Sequence, residues 1–99
     1  MTVDKDLSGG CLTLKVAGRL DTNTAAELES EFSPDGVSEI VFDFAGLEYI
    51  SSAGLRVLMM VMKAMSERGG KVRIANPNMM VKGVLDMTGL SSVFAVDSP

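Results

Sequence analysis

Leu47-Glu48-Tyr49-Ile50-Ser51-Ser52-Ala53-Gly54-Leu55-Arg56-Val57-Leu58 sets an extended apolar segment directly against the start of a long apolar helix, with two serines at the joint. The first turn of a helix leaves backbone N–H groups unpaired and carries the positive end of the helix dipole. A serine at such a joint therefore caps the helix, or carries a phosphate that the helix end stabilises. Most serines so placed only cap, and the residues of the joint alone leave both roles open.

Working outward, Ile40-Val41-Phe42-Asp43-Phe44 is β-branched and aromatic, the composition of a buried strand. The helical pattern after the serines runs from Gly54 to Glu67 and closes at Arg68-Gly69-Gly70, a glycine C-cap. Lys71 to Ala75 alternates as a strand. Asn76-Pro77-Asn78 breaks it and caps a third helix through about Thr88, with Val81, Val84 and Leu85 on its apolar face and Gly89 at its stop. Leu90 to Val96 reads as a last short edge strand.

Toward the N-terminus, Val3–Ser8 and Cys11–Ala17 meet at Gly9-Gly10 as a hairpin, with Leu12, Leu14 and Val16 alternating against Thr13 and Lys15. Gly18-Arg19-Leu20-Asp21 turns the chain into the capping cluster Thr22-Asn23-Thr24. Ala25, Leu28 and Phe32 follow at helical spacing, and Ser33-Pro34-Asp35-Gly36 ends that helix. Strand-helix-strand passages with short loops predict an α/β fold: a mixed β-sheet of about five strands, with about three helices packed mainly on one face. The whole chain, residues 1–99, reads as one domain.

Composition narrows the chemistry. Nine basic residues against thirteen acidic ones give a net charge of −4, and the basic residues are scattered, so no stripe for nucleic acid is visible. No apolar run has the length of a membrane span, and the N-terminal stretch lacks a signal-peptide core, so no membrane partner and a cytoplasmic location are expected. The absence of histidine removes the commonest general base and zinc ligand. The single cysteine, Cys11, excludes an internal disulfide and a multi-thiolate metal site, and its neighbours make it an ordinary strand thiol. Asp21, Asp43 and Glu48 have no histidine, metal cluster or nucleotide-binding glycine pattern beside them, so no enzyme, no metal and no cofactor of its own are expected.

The long helix carries more apolar surface than one sheet covers. Projected at 100° per residue, Arg56, Lys63 and Glu67 form a narrow polar stripe; Leu55, Leu58, Met62 and Met65 form the core face; Met59 lies on one shoulder, and Val57, Met60 and Ala64 on the other. Methionine adapts to varied partners, but it also fills gaps in small cores. An apolar stripe is usually packing, and partner surface stays open as the alternative.

With these features assembled, the chain resembles a STAS domain, specifically the single-domain bacterial anti-sigma factor antagonists. The likeness rests on the order of elements, the Gly-Arg-Leu-Asp lead into the first helix, the Phe-Asp-Phe strand, the Ile-Ser-Ser-Ala-Gly-Leu turn and the Leu85-Asp86-Met87-Thr88-Gly89-Leu90 segment. In that family the turn usually reads Asp-Ser-Ser-Gly or Asp-Ser-Thr-Gly, and the serine two residues before the glycine is phosphorylated. Counting back from Gly54 places that role on Ser52. Ser51 stands where the family has aspartate and is the rival acceptor, and Ala53 replaces the second hydroxyl residue.

The resemblance implies that the unphosphorylated form binds an anti-sigma factor that is itself a serine kinase holding ATP or ADP, so freeing a sigma factor, and that phosphorylation ends the binding. A phosphoserine adds about 1.5 to 2 negative charges, enough to disrupt an apolar contact. The partner surface so implied comprises Asp21, Thr22, Asn23, Ser51, Ser52, Ala53, Gly54, Arg56, Val57 and Met60, with the domain itself a monomer or weak dimer. Asp21 serves equally well as a cap for the first helix, and Asp43 as a holder of loop N–H groups. The alternative within the same family is an adaptor subunit of a lipid-transporting ABC complex, or a stress-signalling scaffold, without a phospho-switch.

Overall fold

Two adjacent glycines make the first hairpin. Gly9 and Gly10 stand at φ 57° and 82°, the left-handed pair that a two-residue turn between twisted strands requires. They join β1 (Thr2–Ser8) to β2 (Cys11–Leu20) in antiparallel register, from Ser8 opposite Cys11 to Thr2 opposite Ala17. This computed structural model describes residues 1–33 and 35–90, with the backbone of 95–96. The chain continues through α1 (Ala25–Ser30), β3 (Glu39–Ile50), α2 (Ser52–Glu67), β4 (Lys71–Ala75), α3 (Met79–Met87) and β5 (Ala95–Val96). The strands lie side by side in the order β1-β2-β3-β4-β5, and every neighbouring pair after the first is parallel.

Each parallel step moves in the same direction across the sheet, so right-handed crossovers place all the helices on one face. Leu14, Phe42 and Ile74 are register partners on β2, β3 and β4 and are fully buried on that face. They meet Leu28 of α1, Leu58, Val61 and Met65 of α2, and Val81 and Leu85 of α3, all of them buried. Phe42 and Phe44 add a tilted ring pair with centroids 5.8 Å apart. On the other face, Thr13, Lys15, Asp43 and Arg73 occupy the alternate positions, and none of them is buried, the pattern of a sheet with one solvated side. Cys11 opens β2, half-buried on that side, as expected of a strand thiol.

The stop of α2 and the start of α3 match the sequence expectations, whereas α1 ends at Ser30, short of Phe32. Gly69, at φ 71°, follows the last turn of α2; Gly70 N–H donates to Met65 O at 2.8 Å and Gly69 N–H to Ser66 O at 3.1 Å, the paired bonds of a Schellman stop. At the start of α3, the Asn78 side chain accepts from Val81 N–H at 2.8 Å and donates to Leu47 O at 3.0 Å, which ties this helix to the middle of β3. Asp43 accepts from Ala45 N–H at 3.0 Å within its own strand and from the Asn76 side-chain amide at 3.3 Å, so it ties β3 to the turn after β4 rather than holding N–H groups of a loop at its own strand end.

Three further expectations are corrected. The segment Gly18-Arg19-Leu20 is strand rather than turn, and Ile40–Phe44 and the extended segment before the serines form one strand, β3, running to Ile50. Register shifts between Lys15 and Ala17 and between Gly18 and Arg19 explain both, because the buried positions of β3 change from a spacing of two to Phe44, Leu47 and Ile50; bulges hide a continuing strand from any search for alternation. The core face of α2 comprises Gly54, Val57, Leu58, Val61 and Met65, rotated about 60° from the expected face at 100° per residue. Leu55 and Met62 are only half-buried, and Val57 leaves the shoulder for the core. Finally, Leu90, expected to open the last strand, is buried outside β5, which is described over Ala95–Val96. The residues 91–94 of the expected strand lie outside the described residues.

The rotation of α2 has a specific origin. A Cβ on Gly54 would lie 2.7 Å from Leu20 Cγ and 2.9 Å from Ile50 Cγ1, so only glycine lets the first helical turn rest directly on the ends of β2 and β3. Gly54→Ala gains about 1 kcal/mol of helix propensity and costs about 1–3 kcal/mol of overpacking against two buried side chains. A net loss of about 1 kcal/mol is expected, read as a lower urea midpoint with an unchanged slope.

Candidate functional site

The register that pairs Leu20 with Ile50 brings the last residues of β2 and β3 level with one another. The two segments leaving these strands are therefore adjacent in space: the Asp21–Thr24 loop leading to α1, and Ser51 leading to α2. Ser51 N–H donates to Leu20 O at 2.9 Å, which locks the two exits together. Carboxyl ends of parallel strands, where helices begin, are the usual binding end of an open α/β sheet.

The Asp21 loop is closed by its own hydrogen bonds. Asp21 Oδ1 accepts from Asn23 N–H at 3.0 Å and from the N–H and hydroxyl of Thr24, each at 3.2 Å, while Asp21 O accepts from Ala25 N–H at 2.8 Å. The Thr24 hydroxyl also contacts Arg19 O at 2.8 Å. The N-cap of α1 is Thr24, so the side chain of Asp21 closes the loop before the helix rather than capping the helix itself. Partial desolvation works to raise its pKa; the bonds from Thr24 and Asn23, with the charge of Arg19, outweigh it and hold the carboxyl below its usual value.

The two serines differ sharply. Ser51 is the N-cap of α2 at φ −102°, ψ 176°, but its side chain makes no capping bond, and its Oγ is buried without a partner. Its backbone does the joining, through Leu55 N–H to Ser51 O at 3.0 Å. Ser52 is the first residue of the helix and is exposed. One residue along a helix turns the side chain by about 100°, enough to pass from the strand ends to solvent.

A groove of about 510 Å³ runs between α1 and α2, with Thr22, Ala25, Ala26 and Glu29 on one wall and Ser52, Ala53, Arg56, Val57 and Met60 on the other. Six of the residues assigned from sequence thus share one surface: Thr22, Ser52, Ala53, Arg56, Val57 and Met60. Val57 contributes its floor, since only 6% of it is exposed. The other four lie apart from it. Asp21 and Asn23 belong to the closed loop, Ser51 turns its oxygen inward, and Gly54 is buried against Leu20 and Ile50.

Sequence reading missed Ala25, Ala26 and Glu29; the only available signal was a pair of alanines one helical turn before a glutamate. It also missed the Arg19 guanidinium stacked 4.3 Å above the Tyr49 ring, which only the bulged register brings together. The methionines of α2 divide between the two readings. Met65 is core, whereas Met59 and Met60 keep 49% and 37% of their surface exposed and, with Met62 and Lys63, border a shallow hollow of about 590 Å³ on the outer side of the helix.

Two measurements probe these roles. Because the Ser51 hydroxyl makes no bond, Ser51→Ala is expected to leave stability unchanged or raise it by about 1 kcal/mol, whereas Asn78→Ala, which removes a working cap and a bond to β3, is expected to cost about 1–2 kcal/mol; thermal melts compare the two. For Asp21, a pKa lower in the folded chain than in the unfolded one means that its contribution is present above the unfolded pKa and is lost as pH falls through the folded one. Urea midpoints of the wild type and Asp21→Asn are therefore expected to differ most at neutral pH and to converge below about pH 4.

Comparison with known proteins agrees with this architecture. The profile of the STAS domain matches residues 2–98. BtrV of Bordetella bronchiseptica, described as an anti-sigma factor antagonist, is 31% identical over 99 residues, covering 97% of this chain and 85% of its own. The solved structure of the anti-sigma factor antagonist SpoIIAA in its unphosphorylated form superposes with a TM-score of 0.87 at 17% identity, over 99% of this chain and 88% of that one. SpoIIAA of Bacillus in its phosphorylated form superposes with a TM-score of 0.80 at 16% identity, over 99% of this chain and 91% of that one. The chain belongs to the STAS domain family, among relatives named as anti-sigma factor antagonists.

Proposed function

We propose that this domain is an anti-sigma factor antagonist whose unphosphorylated form docks an anti-sigma factor serine kinase through the groove between α1 and α2, and whose docking ends when Ser52 is phosphorylated. The observation that carries the reading is the contrast at the strand exits. Ser52 is exposed at the mouth of an apolar-floored groove, whereas the oxygen of its rival Ser51 is buried. A kinase reaches only a hydroxyl that solvent reaches.

In the modification step, Ser52 Oγ bonds to the γ-phosphorus of ATP held by the partner, ADP leaves, and the hydroxyl proton passes to a base on the kinase. The product places about 1.5 to 2 negative charges at the lip of a surface made of Ala53, Val57 and Met60, where docking would have to strip water from them. The first turn of α2 tolerates the same charge well, since its dipole and free N–H groups favour an anion. The fold can thus remain intact in the blocked state. The relative BtrV, and the solution of SpoIIAA in both phosphorylated and unphosphorylated forms, lend support. No catalysis by the domain itself, and a cytoplasmic setting alongside the transcription machinery, are parts of the same proposal.

The test is incubation with a candidate anti-sigma kinase and ATP, followed by peptide mass spectrometry and calorimetry. A single phosphate on Ser52 is expected, with Ser52→Ala binding like the unmodified protein and Ser52→Asp binding about tenfold more weakly or worse, a loss of about 1.4 kcal/mol or more. A phosphate on Ser51 alone, or equal binding by the phosphorylated and unphosphorylated forms, overturns the reading.

A further inference from the structure

Ser52 and Arg56 are four residues apart on α2, both are exposed, and both border the groove against α1. Residues at this spacing stand one above the other on a helix, about 6 Å apart along its axis. Helical side chains lean toward the N-terminus, so the long arginine chain reaches back over the turn that holds Ser52. Among the described residues the Arg56 guanidinium makes no hydrogen bond or ion pair. Among the described residues it is also the only cation lining the groove.

We infer that Arg56 is the internal counter-ion of phosphoserine 52: once the phosphoryl group is in place, the guanidinium folds back and holds it with charge-assisted hydrogen bonds. The inference rests on the reading that Ser52 carries the phosphate. The order suits the pair, with the anion one turn before the cation, the favourable orientation on a helix. The guanidinium fork matches two phosphate oxygens, which a lysine ammonium cannot do.

The other charges nearby leave this partner uncontested. Glu29 faces the groove from α1 as an anion and repels the phosphate. Asp21 is occupied by its own loop. Lys63 stands seven residues beyond Arg56, about 10 Å further along the axis. Phosphorylation in this scheme does two things at once: it adds charge at the mouth of the groove and withdraws the only cation the groove offers a partner. The off state is then a locally neutralised surface rather than a purely repulsive one.

The test uses the full chain with phosphoserine incorporated at position 52 during translation, so it needs neither the kinase nor the anti-sigma partner, and its outcome is independent of whether either exists. The second ionisation of the phosphate is followed by ³¹P NMR at low salt in the wild type, Arg56→Gln and Arg56→Lys. The helix end acts equally on all three, so their differences isolate residue 56. The expected result is a wild-type pKa lower than that of Arg56→Gln by about half a unit, roughly a threefold change in proton affinity, with Arg56→Lys in between and the differences collapsing in about 1 M salt. Superimposable low-salt titrations of the wild type and Arg56→Gln overturn the inference. As a second readout, the Arg56 Nε signal is expected to shift on phosphate ionisation in the wild type, and an unchanged signal overturns the inference equally.

Discussion

The seat of α2 on the ends of β2 and β3 governs the arrangement of the strand exits and of the groove beside them. Gly54 leaves no Cβ between the helix and Leu20 or Ile50, where any other residue would place one at 2.7–2.9 Å. The backbone bond from Ser51 N–H to Leu20 O fixes the same seat from the strand side. Once the first turn lies this close, the rotational setting of the helix is determined, and so is every side chain along it. Val57, Val61 and Met65 turn into the core, Arg56 and Lys63 turn out, and the methionines divide between the two environments.

The same seat separates the two serines. The side chain of residue 51 falls on the strand side of the joint, where no bond is available to it, and that of residue 52 falls in solvent at the groove. A buried hydroxyl without a partner is a standing cost, and here it accompanies a helix end left free of side-chain capping. The first-turn N–H groups are consequently not engaged by Ser51, and an anion arriving at Ser52 meets them unmasked. The unpartnered Ser51 oxygen and the helix end without a side-chain cap are two aspects of one geometry.

The closed Asp21 loop sets the start of α1, which supplies most of the opposite wall. Its hydrogen bonds to Asn23 and Thr24 are short-range, and the Thr24 hydroxyl ties it to Arg19 O of β2, so α1 starts at a fixed point beside α2. Only six residues long, α1 has little propensity to stand alone and depends on this loop and on the burial of Ala25 and Leu28. The groove therefore lies between one deeply anchored helix and one held mainly at its start.

Much of this architecture was legible in the chain itself, because local chemistry decides it. Glycine pairs at Gly9-Gly10 and Gly69-Gly70 specify a left-handed turn and a helix stop, Asn78 specifies a cap, and the alternation of Leu12, Leu14 and Val16 specifies a half-buried strand. The order of elements, the position of the serine turn and the family likeness need nothing beyond neighbours in sequence. Tertiary structure alone decided what depends on contacts between distant residues: the bulged continuation of β2 and β3, the rotation of α2, the inward oxygen of Ser51, and the alanine wall contributed by α1. The physical reason is that periodicity reports which residues share a face, but not how that face is turned against its neighbour. That angle is set by packing at Gly54, where the absence of a side chain becomes informative only once Leu20 and Ile50 lie beside it.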